Sequence, residues 1–274
     1  LVEAAFGWEY VAKEEGDQLI KPIIHRDNIE SVYEIEKPVI EDNPLFQKAF
    51  TRLDYLEKNG NLPLRMVNIP SPLVAGSQIW EYTSFIESML IQPEAVHHLL
   101  EMVTDTIIDF AKAQLSRISN LYTMGHEPWY IPPEVGLRIS DDTAAVMSPQ
   151  TCKEFGTAYN AKISDSFGGL IWHSCGNVEA VLPAILETPG LRGLDIVATQ
   201  NDWGAIRSIL EGHQVAVSLR YNYWDHSQPD KVDQYEYTKK LIDFFGKKGV
   251  LLLTSTSSLS ESVELADKIQ QLLR

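Results

Sequence analysis

At 274 residues and 44% hydrophobic composition, the chain is long enough to bury one large core or two modest ones. A formal charge of −15 leaves no basic patch, which argues against nucleic acid or an anionic membrane surface as a partner. With two cysteines, Cys152 and Cys175, no disulfide framework is needed and a reducing cytoplasm is the expected location. The longest aliphatic run, Val250-Leu251-Leu252-Leu253, is too short to span a bilayer, and no charged leader precedes an apolar stretch. The sequence starts at Leu1-Val2-Glu3 without Met, so an upstream piece is expected.

Residues 1–63 are polar and weakly periodic, and Pro22, Pro38, Pro44 and Pro63 predict an irregular region. From Leu64 onward, short apolar runs alternate with amphipathic stretches. Strands are predicted at Leu64–Ile69, Asn120–Met124, Leu137–Ser140, Leu170–His173, Gly193–Val197, Gln214–Leu219 and Val250–Thr254. Between them, Pro93 opens a helix whose stripe is Val96, Leu99, Leu100, Val103, Ile107, Phe110 and Ala111. Ser148-Pro149 opens another. Ser258 with Glu261 forms a capping box before a helix whose expected buried face is Val263, Ala266, Ile269 and Leu273.

These strand–helix repeats, with no run of hairpins, predict a parallel sheet covered by helices. One more repeat, in the N-terminal region or upstream, would complete a (β/α)8 TIM barrel truncated at its N-terminal part; a doubly wound sheet is the alternative. No linker, internal repeat or low-complexity tract divides the chain, so residues 1–274 are read as a single domain.

The most informative stretch is Trp172-His173-Ser174-Cys175-Gly176, at the end of an apolar run. On a strand, residues i and i+2 face the same side, so His173 and Cys175 can converge on one point. An imidazole and a thiolate at a strand's C-terminal end are two ligands of a zinc site that lacks its third. Barrel active sites form at the C-terminal strand ends, where this sequence also places Asn68 with Pro70, Gly125 with His126 and Glu127, Asp141 and Asp142, Asp195, Arg220 with Asn222, and Thr254 to Ser258. Of these, Asp141 and Asp142 can contact substrate, metal or a metal-bound histidine, although one of them could simply cap the next segment. His126 and Glu127 are candidate further metal ligands, with a surface loop as the plain alternative. Arg220 is a candidate carboxylate clamp, or else a salt bridge within an acidic protein. Cys152, inside a helix, reads as core packing.

The chain resembles the uroporphyrinogen decarboxylase superfamily. The resemblance is carried by Ile139-Ser140-Asp141-Asp142-Thr143-Ala144-Ala145-Val146-Met147-Ser148-Pro149, by Phe155 and Tyr159, and by His173-Ser174-Cys175-Gly176. Pro70-Ser71-Pro72-Leu73 and Gln92-Pro93-Glu94 fit as well, so that most of residues 60–274 is covered. The resemblance implies a (β/α)8 barrel and one of two chemistries. Decarboxylases of the superfamily act on uroporphyrinogen without a cofactor, through an N-terminal Arg motif, acidic residues and a histidine in the last strand's loop. Methyltransferase relatives move a methyl group between a corrinoid protein and an acceptor, and bind zinc through His-x-Cys and a Cys in that last loop.

His173-Ser174-Cys175-Gly176 resembles the methyltransferase branch. The last loop, Leu253-Thr254-Ser255-Thr256-Ser257-Ser258, has neither the histidine nor the cysteine, and the N-terminal Arg motif is absent. A hydroxyl such as that of Ser257 is a poor zinc ligand. The expectation is therefore a zinc-dependent methyltransferase working with a corrinoid protein on a small methylated molecule, and self-associating as a homodimer. His173 and Cys175 would ligate zinc, and Asp141, Asp142, Glu127 or His126 would complete the shell. The alternatives are cofactor-free decarboxylation of a porphyrinogen-like polyacid, using Asp141 or Asp142 and Arg220, and a non-catalytic ligand-binding relative.

Overall fold

In a computed structural model of the protein, the described residues are 1–7, 9–12, 18–123, 131–220, 233–250 and 258–274; at 9–12, 18–20 and 220 the description covers the backbone alone. Strands β1 (Glu9–Ala12) and β2 (Gln18–Lys21) form an antiparallel hairpin. Strands β3 (Leu64–Arg65) and β4 (Leu121–Tyr122) pair in parallel. A four-stranded parallel sheet follows in chain order: β5 (Leu137–Ser140), β6 (Leu170–Ser174), β7 (Leu191–Val197) and β8 (Ala216–Arg220). Parallel bridges from Pro70 to Ser140 and from Val217 to Val250 extend this series on either side. The order β5-β6-β7-β8 contains no reversal of the kind a doubly wound sheet has at its switch point. Among the described residues the sheets form separate pieces and do not close, so the expected complete barrel is seen as an α/β fold with parallel sheets.

The strand at Leu137–Ser140 falls where the sequence predicts it, and β6, β7 and β8 lie within two residues of expectation. β6 is buried along its whole length, as a parallel strand covered on both faces must be. The first predicted strand stops early. The Val67 N–H donates to Gln114 Oε1 at 2.7 Å instead of to a neighbouring strand, and Pro70 has no N–H to donate. The C-terminal strand is described only at Val250, and Leu251–Thr254 lies outside the described residues.

The N-terminal region departs from the irregular reading. A sixteen-residue helix, Pro44–Asn59, runs through it and buries Phe46, Ala49, Phe50 and Leu53. Pro44 starts this helix instead of breaking it, because at the first helical position proline loses no hydrogen bond and its fixed φ already suits the helix. Asn43 caps it by accepting the Leu45 N–H. The helix Pro93–Arg117 matches expectation, and every residue of its predicted stripe is fully buried. Phe110 of that stripe stacks on Phe46, with ring centroids 4.5 Å apart, which joins the two helices.

The last helix, Leu259–Leu273, is capped as expected by Ser258, but its buried stripe is rotated. Leu265 is buried with Ile269 and Leu272 partly so, while Val263 and Leu273 are exposed. Two overlapping apolar stripes occupy this helix, and docking chose the one spaced i, i+4, i+7. No helix among the described residues is long and apolar enough to cross a membrane.

Candidate functional site

The site is built on one register level of the sheet. Ser140 of β5 lies opposite His173 of β6, His173 opposite Asp195 of β7, and Asp195 opposite Ser218 of β8. Neighbours in register present their side chains to the same face, so four polar side chains line up across strands that are otherwise largely apolar. Ser140, His173 and Asp195 lie toward the C-terminal ends of their strands, where barrel-type sites form.

His173 is buried and held from one side. Its Nδ1 lies 2.8 Å from the Asp195 carbonyl oxygen and 2.8 Å from Asp195 Oδ2. A carbonyl oxygen can only accept, so the hydrogen sits on Nδ1, an assignment made from the hydrogen-bond network. Nε2 then presents its lone pair to Cys175 Sγ, 3.3 Å away. Behind this pair lies Arg138, which the sequence reading missed. Its Nη2 is 3.2 Å from Asp195 Oδ2 and its Nη1 donates to Ser140 Oγ. Arg138 is 1% exposed and Asp195 0%. The available signal was a lone arginine in Leu137-Arg138-Ile139-Ser140, two residues before Ser140 and so on the same face of the strand.

Cys175 stands just past the end of β6 and is exposed. Its N–H donates to Asp142 Oδ1 at 2.6 Å, which brings the loop after β5 against the loop after β6. The ligating atoms of Asp142, His173 and Cys175 all lie within 4.8 Å of one another. The approach needs glycine at 176, where a Cβ would sit 2.6 Å from the Ala145 Cβ. Asn201 fixes the same loop from the other side. Its Nδ2 donates to the Gly176 and Val197 carbonyls, and its Oδ1 accepts the Val178 N–H. Gly176→Ala should therefore destabilise the protein by about 1–3 kcal/mol in urea unfolding, the usual penalty of overpacking, and Gly176→Ala/Ala145→Gly should recover most of it. Equal stability of Gly176→Ala and the parent would remove this account of the loop.

The two adjacent aspartates are placed differently. Asp142 is exposed at the cluster, whereas Asp141 is fully buried beneath it. Asp141 Oδ2 accepts from Trp172 Nε1 at 3.0 Å, and its N–H donates to the His173 carbonyl at 2.7 Å. Burial pushes the Asp141 carboxyl up to about 6, against the hydrogen bonds from Trp172, Ser71 and Ala144 that favour its charged form. Cys152 is buried, as expected for core packing, and burial pushes its thiol up to about 12. Arg220 ends β8 opposite Val197, and its side chain lies outside what is described. His126 and Glu127 lie outside the described residues, as do Gly125, Asn222 and Thr254–Ser257. Of the candidate ligands among the described residues, the structure brings together His173, Cys175 and Asp142.

Comparison with known proteins follows the same lines. Residues 1–126 match the family model described as uroporphyrinogen decarboxylase (URO-D). The match ends before β5, upstream of the Asp142–His173–Cys175 cluster. Among solved structures, a methyltransferase from Methanosarcina mazei superposes with a TM-score of 0.71 at 15% sequence identity, covering 100% of this chain and 78% of that one. At such identity the likeness is one of fold. No curated protein matches the sequence. The family model bears out the chain's resemblance to the uroporphyrinogen decarboxylase superfamily over residues 1–126, and the methyltransferase adds a likeness of fold.

Proposed function

We propose that this protein is a zinc-dependent methyltransferase of that superfamily, working with a corrinoid protein on a small methylated substrate, and that residues 1–274 form one domain whose sheet closes into a (β/α)8 barrel. The observation that carries the zinc reading is the convergence of Asp142, His173 and Cys175, with ligating atoms within 4.8 Å of one another. The donor set fits zinc: one imidazole nitrogen, one thiolate and one carboxylate are its usual protein ligands. The tautomer fits too, since Nδ1 is committed to Asp195 and Nε2 faces the cluster. Asp142 would take the place of the cysteine missing from the last loop. Bound zinc supplies Lewis acidity, polarising a substrate heteroatom or lowering the pKa of a bound thiol, hydroxyl or water.

The chain's own residues do the rest. His173 and Asp142 hold their donor atoms toward one point, the Cys175 N–H fixes the Asp142 carboxylate, and Gly176 lets the two loops meet. A nitrogen–sulfur–oxygen shell withdraws less positive charge from the metal than a shell with two thiolates, which favours oxygen substrates such as methyl ethers over thiols.

Metal content by elemental analysis tests the reading, on protein purified without chelators and on His173→Ala/Cys175→Ser. About one zinc per chain is expected in the parent and none in the variant, with Asp142→Ala weakened at least about tenfold. A parent that stays empty after incubation with zinc would sink the proposal and leave decarboxylation of a polyacid, or simple ligand binding, to be assayed next.

A further inference from the structure

We propose that Arg138 and Asp195 are positioning residues for His173, acting as a buried pair that holds the imidazole in its Nδ1–H form with Nε2 turned toward Cys175 and Asp142. The inference takes its purpose from the zinc reading above, but its geometry stands independently of it. Asp195 Oδ2 is shared, lying 2.8 Å from His173 Nδ1 and 3.2 Å from Arg138 Nη2. The guanidinium is itself tied down by Nη1, which donates to Ser140 Oγ on the same strand. A planar fork gripped at two points sets the direction of the carboxylate it faces, and that carboxylate sets the plane of the ring.

The placement follows from register. Ser140, His173 and Asp195 lie opposite one another on three adjacent strands, and Arg138 lies two residues before Ser140 on the same face. Asp195 therefore meets His173 from the neighbouring strand, at the ring nitrogen that does not face Cys175. A buried ion pair is weak evidence for stability, since apolar residues of similar volume commonly serve as well. Here both partners are almost wholly buried, at 1% and 0% exposed, and one of them bonds a ring whose other nitrogen faces two more candidate ligands. That arrangement is what orients a metal-binding histidine through its non-ligating nitrogen.

The test has two arms. Long-range ¹H–¹⁵N NMR of the chelator-treated protein, with the His173 signals identified by their loss in His173→Gln, should show the Nδ1–H tautomer. Zinc affinity, measured by competition with a chromophoric chelator, should fall about 10–100-fold in Asp195→Leu and in Arg138→Leu. Asp195→Asn, which keeps an acceptor for Nδ1–H, should lose less than Asp195→Leu. An Nε2–H tautomer in the parent would overturn the inference. So would folded Asp195→Leu and Arg138→Leu proteins that bind zinc within about twofold of the parent. The Asp195 carbonyl oxygen also accepts from Nδ1 and fixes the tautomer by itself, so if these variants fail to fold, Asp195→Asn and Arg138→Lys decide by the same competition, and parent-like affinity in both would overturn the inference. A parent that binds no zinc would sink the zinc reading, and a shift of the His173 ¹⁵N signals in Asp195→Leu and in Arg138→Leu would leave the positioning intact.

Discussion

Arg138→Leu is expected to lower the unfolding free energy by about 3–5 kcal/mol, the usual cost of removing one partner from a buried ion pair. The effect is large because the change takes a positive charge away from a buried carboxylate, which costs more than the deleted contact. Asp195 is completely buried, and the variant removes the guanidinium facing its carboxylate at 3.2 Å. A surface pair such as Lys37–Asp109, with both side chains well exposed, should respond with about 1 kcal/mol or less. Urea unfolding of parent, Arg138→Leu, Asp195→Leu and the double variant in the presence of chelator checks this. The double variant should be clearly less destabilised than the sum of the two singles. Additive losses, or an Arg138→Leu protein within about 1 kcal/mol of the parent, would show that the pair is not energetically coupled.

Asp141 should make stability depend on pH in the direction opposite to most carboxylates. Its folded-state pKa is pushed up from 3.8 to about 6, chiefly by burial. Between those values the folded protein keeps a proton that the unfolded chain has released. The contribution of this group is therefore greatest below about pH 4, declines as the pH rises, and is fully lost above about pH 6. At about 1.4 kcal/mol per pH unit the loss amounts to about 3 kcal/mol. Asp141→Asn keeps the shape and an acceptor for Trp172 Nε1 but cannot ionise. Relative to that variant, the parent should lose about 2–2.5 kcal/mol between pH 4 and pH 7.5 in urea unfolding with chelator present, the rest of the loss lying below pH 4. A difference that stays constant across this range would mean that the carboxyl is not held protonated by burial.

Much of the molecule was legible in local pattern. The long helix from Pro93, the strand Leu137–Ser140 and the buried β6 follow from periodicity and turn chemistry, because each buries its apolar face whatever its partner. The His173–Cys175 pair was legible for the same reason, since two residues apart on one strand is a local relation. The N-terminal helix was missed where Pro44 was read as a breaker and not as a starter, a distinction that depends on where the helix begins.

What the sequence by itself determined is most of the strands from Leu64 onward, the helices opened at Pro93 and Ser258, a net negative charge, and a His-x-Cys pair in need of a third partner. Tertiary structure alone decided which described candidate lies beside it. Asp141 and Asp142 are indistinguishable in sequence, yet the turn after β5 buries the first against Trp172 and brings the second to the Cys175 N–H. It also decided that Arg138 and Asp195, 57 residues apart, meet behind His173. Strand register sets such long-range contacts, and register is a property of the assembled sheet that no single segment carries.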